Sequence, residues 1–348
     1  MTTTDLPNDT AWRVLLAPYK KASWLRALVQ FFDTAVPFAL LWYLMVRSLS
    51  VSYWLTILLA VPQAFLFIRL FIIQHDCGHG SFFPSRAANN ALGALLGVIT
   101  LFPYGYWRRT HAIHHATNGN LDDREFGDIR TLTVKEYQAL PRWSRFAYRL
   151  YRNPLVLFGV GPVYQFVLKH RFPFDIPFSW KREWRSVLTT NVAIAATFFG
   201  LAQAFGWQTV ALVHLPIVVI AGSMGVWLFY VQHQFEDSYW DRADAWDFYR
   251  AGVHGSSFYD LPKVAHWLTG NIGYHHIHHL SSQIPNYRLA ACFEENPSMQ
   301  RVTRITFRQS LRCAKLRLWD EDRRAMVGFG KLAPLAEPAA GGAPTLAT

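Results

Sequence analysis

VLTTNVAIAATFFGLAQAFGWQTVALVHLPIVVIAGSMGVWLFYVQHQF, residues 187–235, runs for 49 positions without an Asp, Glu, Lys or Arg. A bilayer crossing needs about 20 predominantly apolar residues. The stretch is long enough for two, and Gly206-Trp207-Gln208 near its middle supplies a turn. It reads as a helical hairpin with spans over 187–205 and 209–232. Upstream, residues 48–68 (SLSVSYWLTILLAVPQAFLFI) are also uncharged, and the apolar segment from Val29 to Val46 has Asp33 and Arg47 at its ends. These give a first hairpin, with spans over 29–48 and 51–72. Buried helices in a large soluble core are the competing reading, and runs this long with so few charges speak against it.

The composition agrees. Apolar types make up 51% of the 348 residues and charged types 16%, against about 25% in an ordinary soluble domain, which excludes a disordered chain. The expected fold class is an all-α integral membrane protein, with four transmembrane helices in two hairpins. Two shorter apolar stretches, Ala91 to Pro103 and Pro154 to Leu168, are read as re-entrant or interfacial. The net charge of +11 is unevenly placed. Arg86, Arg108, Arg109, Lys169, Arg171, Lys181, Arg182 and Arg185 fall between the hairpins, and Arg301, Arg304, Arg308, Arg312, Lys315 and Arg317 follow the second. Positive residues prefer the cytoplasmic side, so both termini and the central segment are expected there.

The chain divides into a cytoplasmic N-terminal segment (1–28), a membrane domain (29–293), a basic cytoplasmic segment (294–330) and a Pro/Ala/Gly-rich tail (331–348) expected to be disordered. The N-terminus lacks the basic stretch, apolar run and cleavage site of a signal peptide. Cys77, Cys292 and Cys313 form no CxxC and are expected to be free thiols in a reducing compartment. Trp42, Trp54, Trp107, Trp180, Trp184, Trp207, Trp227 and Trp240 lie near proposed span ends, where most are expected to anchor at the interface.

The chemistry lies in the 14 histidines. His75 and His79 are an i,i+4 pair, which a helix places on one face. His111, His114 and His115 form an H-x-x-H-H pattern, as do His275, His278 and His279, while His276 points about 100° away. By span parity all three clusters face one side of the bilayer, provided that 91–103 does not cross. Eight imidazoles exceed the four ligands of a zinc site and suit two first-row transition ions, although ligand type alone does not choose the metal. No Glu-x-x-His occurs, which speaks against a carboxylate-bridged bundle.

HDCGHGSFF (75–83), HAIHHATNGN (111–120) and HHIHHLSSQIPNY (275–287) resemble the three histidine boxes of the integral-membrane fatty acid desaturases, above all the omega-6 or delta-12 branch. The resemblance covers about Leu28 to Phe293. It implies a cytoplasmic cap holding two non-haem iron ions, O2 as co-substrate, and removal of two hydrogens from an acyl chain to leave a cis double bond. The implied metal ligands are His75, His79, His111, His114, His115, His275, His278 and His279. His233, just after the fourth span, occupies the place of a further ligand in relatives. Asp76, Asn118, Asp122 and Asn271 are candidates to orient an imidazole through its second nitrogen. Cys77 and His214 are read as packing residues.

Removing hydrogen from an unactivated methylene needs a strong oxidant, and imidazole survives where thiolate is oxidised. The electrons must come from outside, because three scattered cysteines cannot hold an iron–sulfur cluster and no His-Pro-Gly-Gly segment is present. A ferredoxin-like donor is expected, or one like cytochrome b5, with an acyl lipid as substrate, the bilayer as surroundings and no nucleic-acid partner. A membrane hydroxylase or ketolase would use the same histidine pattern and is set aside only by the TNG and SQIPNY flanks. A metal transporter would place its ligands near the midplane of broken helices, whereas these stand at span ends.

Overall fold

The computed structural model describes residues 11–124 and 126–332. The expected tail therefore lies almost wholly outside the described residues, as do the first ten positions. Among the described residues four helices are long and apolar enough to cross a membrane: α2 (Trp24–Ser48), α3 (Tyr53–His79), α9 (Lys181–Phe205) and α10 (Trp207–His233). A short α1 (Ala11–Leu16) precedes them. Ser23 caps α2 by accepting from the Arg26 N–H, and Gly206 alone, at φ +84°, turns α9 into α10.

Helix α3 is the central post. Of its apolar window 61% is buried, against 17% in α2 and in α9. Leu25, Phe32, Val36, Leu40 and Leu44 stay exposed along α2 at helical spacing, a face that suits lipid. Both α2 and α10 pack on α3, through Met45, Ala60, Ala64, Phe67, Val213, Ile217 and Ala221. A charge inside this layer is neutralised locally. The buried Arg69 guanidinium reaches Asp33 at 3.3 Å, donates to Thr34 Oγ1 at 2.9 Å and to the Trp267 carbonyl, and lies 4.0 Å from the Trp267 ring.

The stretch 91–103 does not continue as a straight span. α4 (Arg86–Ile99) and α5 (Tyr104–Thr117) meet at 104°, and Leu101 takes φ +61° at the turn. Gln74 fixes that turn to α3, donating to the Phe102 carbonyl at 3.1 Å and accepting from Thr100 Oγ1. The bend returns the chain to the His75 end of α3, where the rings of His75 and His111 stand 4.8 Å apart and the first two histidine clusters meet. The second short stretch is helix α8 (Val156–Lys169). Pro162 and Phe166 close on Gly222 of α10, where a Cβ would stand 2.8 Å from either, while Leu155, Val160, Val167 and Leu168 remain exposed.

The cap is built from α6 (Val134–Ala139), α7 (Arg142–Tyr151), α11 (Phe248–His254), α12 (Lys263–Leu268), α13 (His275–Leu280), α14 (Asn286–Glu295) and α15 (Phe307–Cys313). To this helical architecture the described residues add five very short strands. β1 (Leu132–Thr133) runs parallel to β4 (Leu318–Asp320), which pairs antiparallel with β5 (Ala325–Val327), and β2 (Phe258–Asp260) is parallel to β3 (Arg304–Thr306). They fasten the segment after α14 onto the cap. Two tryptophans depart from the interfacial expectation. Trp240 is buried with Leu121, Trp319 and Met326 inside the cap, and Trp107 stacks on His111. Trp54 and Trp207 are exposed at helix starts.

Candidate metal centre

Each histidine cluster is placed by a different piece of this frame. α3 runs on past its apolar stretch to carry His75 and His79 in its last turns, and ends because Gly80 enters the left-handed region at φ +71° and donates to the Asp76 and Cys77 carbonyls. α5 carries His111, His114 and His115, and is held to α3 by Tyr104, whose hydroxyl donates to the Cys77 carbonyl at 2.8 Å. Gly78 leaves room for Trp107, since a Cβ there would stand 2.7 Å from the indole. α13 carries the third cluster, and His233 is the last residue of α10.

These four segments converge. One ligand nitrogen from each of His75, His79, His111, His115 and His278 lies within 4.8 Å of all the others, and the same holds for His114, His233 and His279. His275 joins the second group, its Nε2 standing 2.9 Å from that of His233 and 3.1 Å from that of His279. In the first group His115 Nε2 is 3.0 Å from His278 Nε2 and 3.1 Å from His111 Nε2. The rings of His115 and His279, one from each group, stack at 4.2 Å and join the two. His276 is absent from both groups and faces the Met299 carbonyl instead.

A transition ion fits this arrangement. His79 Nε2 and His114 Nε2 are buried with no hydrogen-bond partner among the described residues, a state that is costly unless a ligand takes the lone pair. Burial first, and then neighbouring imidazoles, holds His111, His115, His275, His278 and His279 well below the usual histidine range. They are neutral at pH 7, the form that ligates a metal. Among the described residues nine imidazoles are placed to hold an ion, five in one group and, counting His275 through its contacts with His233 and His279, four in the other.

The four candidate orienting residues separate. Asp76 Oδ1 lies 3.1 Å from His75 Nδ1, and its Oδ2 accepts from the backbone N and the Nδ2 of Asn286 at 2.6 and 2.9 Å. The other three have different partners. Asn118 donates to the Ala251 carbonyl, Asp122 accepts from Arg242 and the Ala243 N–H, and Asn271 donates to the Asn286 carbonyl. None of these three hydrogen-bonds an imidazole among the described residues. Two contacts were not foreseen. His233 Nδ1 faces the Gly255 carbonyl at 3.0 Å, and His114 Nδ1 faces Asp128 Oδ1 at 2.7 Å. A backbone carbonyl leaves no mark in sequence, and Asp128 is one acid among Asp122, Asp123, Glu125 and Asp128, with no helical spacing to single it out.

Packing accounts for Cys77 and His214. Cys77 is buried among Ile73, Phe82 and Leu96. His214 Nδ1 lies 3.1 Å from the Val210 carbonyl, with Trp42 and Phe198 against its ring. A cleft of about 580 Å³ reaches His79 and His111, walled by Gly78, Trp107, Arg86, Arg108, Arg109 and Glu183.

The fatty acid desaturase family model matches residues 48–309. A fatty acid desaturase of Bacillus subtilis (strain 168) is 48% identical over 314 residues, covering 90% of this chain and 89% of that protein. The sn-1 acyl-lipid omega-3 desaturase (ferredoxin) of Synechocystis is 33% identical over 242 residues, 67% of this chain and 64% of that one. An endoplasmic-reticulum omega-3 fatty acid desaturase of Vigna radiata is 28% identical over 244 residues, covering 65% and 60%. With a family model over three quarters of its length and a near full-length relative at this identity, the chain belongs to the fatty acid desaturase family, membrane oxidoreductases of lipid metabolism.

Proposed function

We propose that this enzyme uses O2 and two histidine-held iron ions to place a cis double bond in an acyl chain of a membrane lipid, at the omega-6/delta-12 position. The observation that carries the reading is the convergence of nine imidazoles from four distant segments into two adjoining groups. His75, His79, His111, His115 and His278 would hold one ion, and His114, His233, His275 and His279 the other. Bound iron would supply the redox chemistry that reduction of O2 and cleavage of two C–H bonds require.

The protein's own part is to hold, orient and shield. Neutral imidazoles supply an all-nitrogen ligand set that resists oxidation. Asp76, clamped by Asn286, keeps a proton on His75 Nδ1 and so leaves Nε2 free to ligate. Trp107, stacked on His111 at 4.5 Å, covers one side of the first group. Per double bond, one O2, two external electrons and two protons give two waters, the substrate providing the other two electrons and two hydrogens. The external electrons we assign to a ferredoxin-like carrier, with a cytochrome b5-like carrier as the alternative, in keeping with the ferredoxin named for the Synechocystis relative. We place both termini and the histidine groups on the cytoplasmic side, by the distribution of Lys and Arg.

A second reading concerns position only. The relatives from Synechocystis and Vigna radiata are named as omega-3 enzymes, which favours omega-3 insertion as the alternative. Expression in a host without polyunsaturated lipids, followed by chromatography of fatty acid methyl esters with double-bond location, tests both. New dienes with omega-6 unsaturation are expected. Hydroxylated products, or no new double bond, would refute the proposal.

A further inference from the structure

The loop between α5 and α6 lies directly on His114. Gly127 takes φ +79°, and a Cβ there would stand 2.7 Å from His114 Cβ. The next residue, Asp128, has a side chain only 6% exposed against a fully buried His114, at 2.7 Å between Oδ1 and Nδ1. Its Oδ2 is buried and has no hydrogen-bond partner among the described residues. A carboxylate is not buried this deeply without return, and its one side-chain hydrogen bond among the described residues is with an imidazole whose ring lies 4.9 and 5.1 Å from those of His233 and His279.

The loop is fixed from behind by a second buried charge. Arg152, 1% exposed, donates to the Arg130 carbonyl (3.0 Å), Thr131 Oγ1 (3.2 Å), Tyr230 Oη (3.2 Å), Gln234 Oε1 (2.9 Å) and the Leu316 carbonyl (3.1 Å). No carboxylate is among these partners. The guanidinium fastens the segment just after Asp128 to the residue just after His233, so two contributors to the second group share one rigid support. The first group has a counterpart in Asp76, held by Asn286 against His75. Each group thus has one imidazole backed by a carboxylate.

We infer that Asp128 is the positioning residue of the second histidine group, accepting the His114 Nδ1 proton so that Nε2 presents its lone pair to a divalent transition ion. This rests on the two-ion reading above. A carboxylate behind a ligating imidazole fixes its tautomer and strengthens it as a donor, and losing such a partner typically costs 10- to 100-fold in metal affinity. The loss should be confined to one of the two ions.

The test is titration of metal-free, detergent-purified full-length chain with Co(II), followed by its visible absorption, together with iron content of protein purified from iron-supplemented cells. Wild type should take up two ions. Asp128→Asn should bind one as wild type does and the other about 10- to 100-fold more weakly, with an altered spectrum for that ion. Asp76→Asn should weaken the other ion, and Asp128→Glu should recover part of the loss. Two ions of unchanged affinity and spectrum in Asp128→Asn overturn this inference alone, whereas a wild type that takes up no pair of ions overturns the two-ion reading with it. A lower melting temperature with both affinities preserved also overturns it, since that is a structural role. If Asp128→Asn does not fold, Asp128→Glu decides. One ion weakened with the fold intact upholds the inference, and both unchanged overturns it.

Discussion

His233 and His275, 42 positions apart in the chain, bring their Nε2 atoms to 2.9 Å. One ends the last apolar helix and the other begins a six-residue helix of the cap. Both are buried, and the contact joins the end of a membrane-length helix to the cap.

Metal content follows from the two groups. Purified protein should hold about two irons per chain, and His115→Ala or His279→Ala should lower activity by at least ~100-fold while the fold is retained. Elemental analysis, circular dichroism and a desaturation assay check this. One zinc per chain, or full activity in either variant, would refute it.

Topology is tested by tags. Tags at the N-terminus, near Glu136 and at the C-terminus should report cytoplasm, and tags between Ser48 and Ser52 or at Gly206 the opposite side. Protease protection in sealed vesicles measures this. A tag at Glu136 found outside would contradict the re-entrant reading of α4 and α5.

Electron delivery should depend on charge. Activity should require a small acidic carrier whose apparent affinity falls as salt rises. Arg304 already pairs with Asp260 at 2.7 Å, so the clean charge reversals are at the exposed Arg308 and Arg312. They should slow reduction by the carrier without moving the double bond. Stopped-flow reduction indifferent to both salt and these changes would leave the basic surface to lipid headgroups alone.

Acid should destabilise the fold. Burial holds His111, His115, His275, His278 and His279 well below the usual range, and His170 too, with Arg171 and Lys169 beside it. In the unfolded chain these groups titrate near about 6.5. Below that pH the unfolded state binds more protons than the native one, so stability is full above it and falls as pH drops, by up to about 1.4 kcal/mol per pH unit for each such group. Melting temperature measured from pH 7.5 to 5.5 should decrease with metal release, and His170→Gln should reduce the slope by one group. A melting temperature that rises on acidification would refute this.

The sequence by itself determined the membrane class, the four apolar helices and the candidate ligands, because span length and i,i+3,i+4 spacing are local properties of a helix. It also singled out Asp76, which sits beside the histidine it touches. Asn118, Asp122 and Asn271 lie three to seven residues from a box histidine in the chain, and each turns to a different partner. Only the tertiary structure decided which imidazole joins which group, that Trp107 covers the site and Trp240 does not, and that Asp128 and Arg152 stand behind His114 and His233. Those relations depend on a 104° bend and on loops whose paths are set by close packing. Such contacts join residues far apart in the chain, and no periodicity records them.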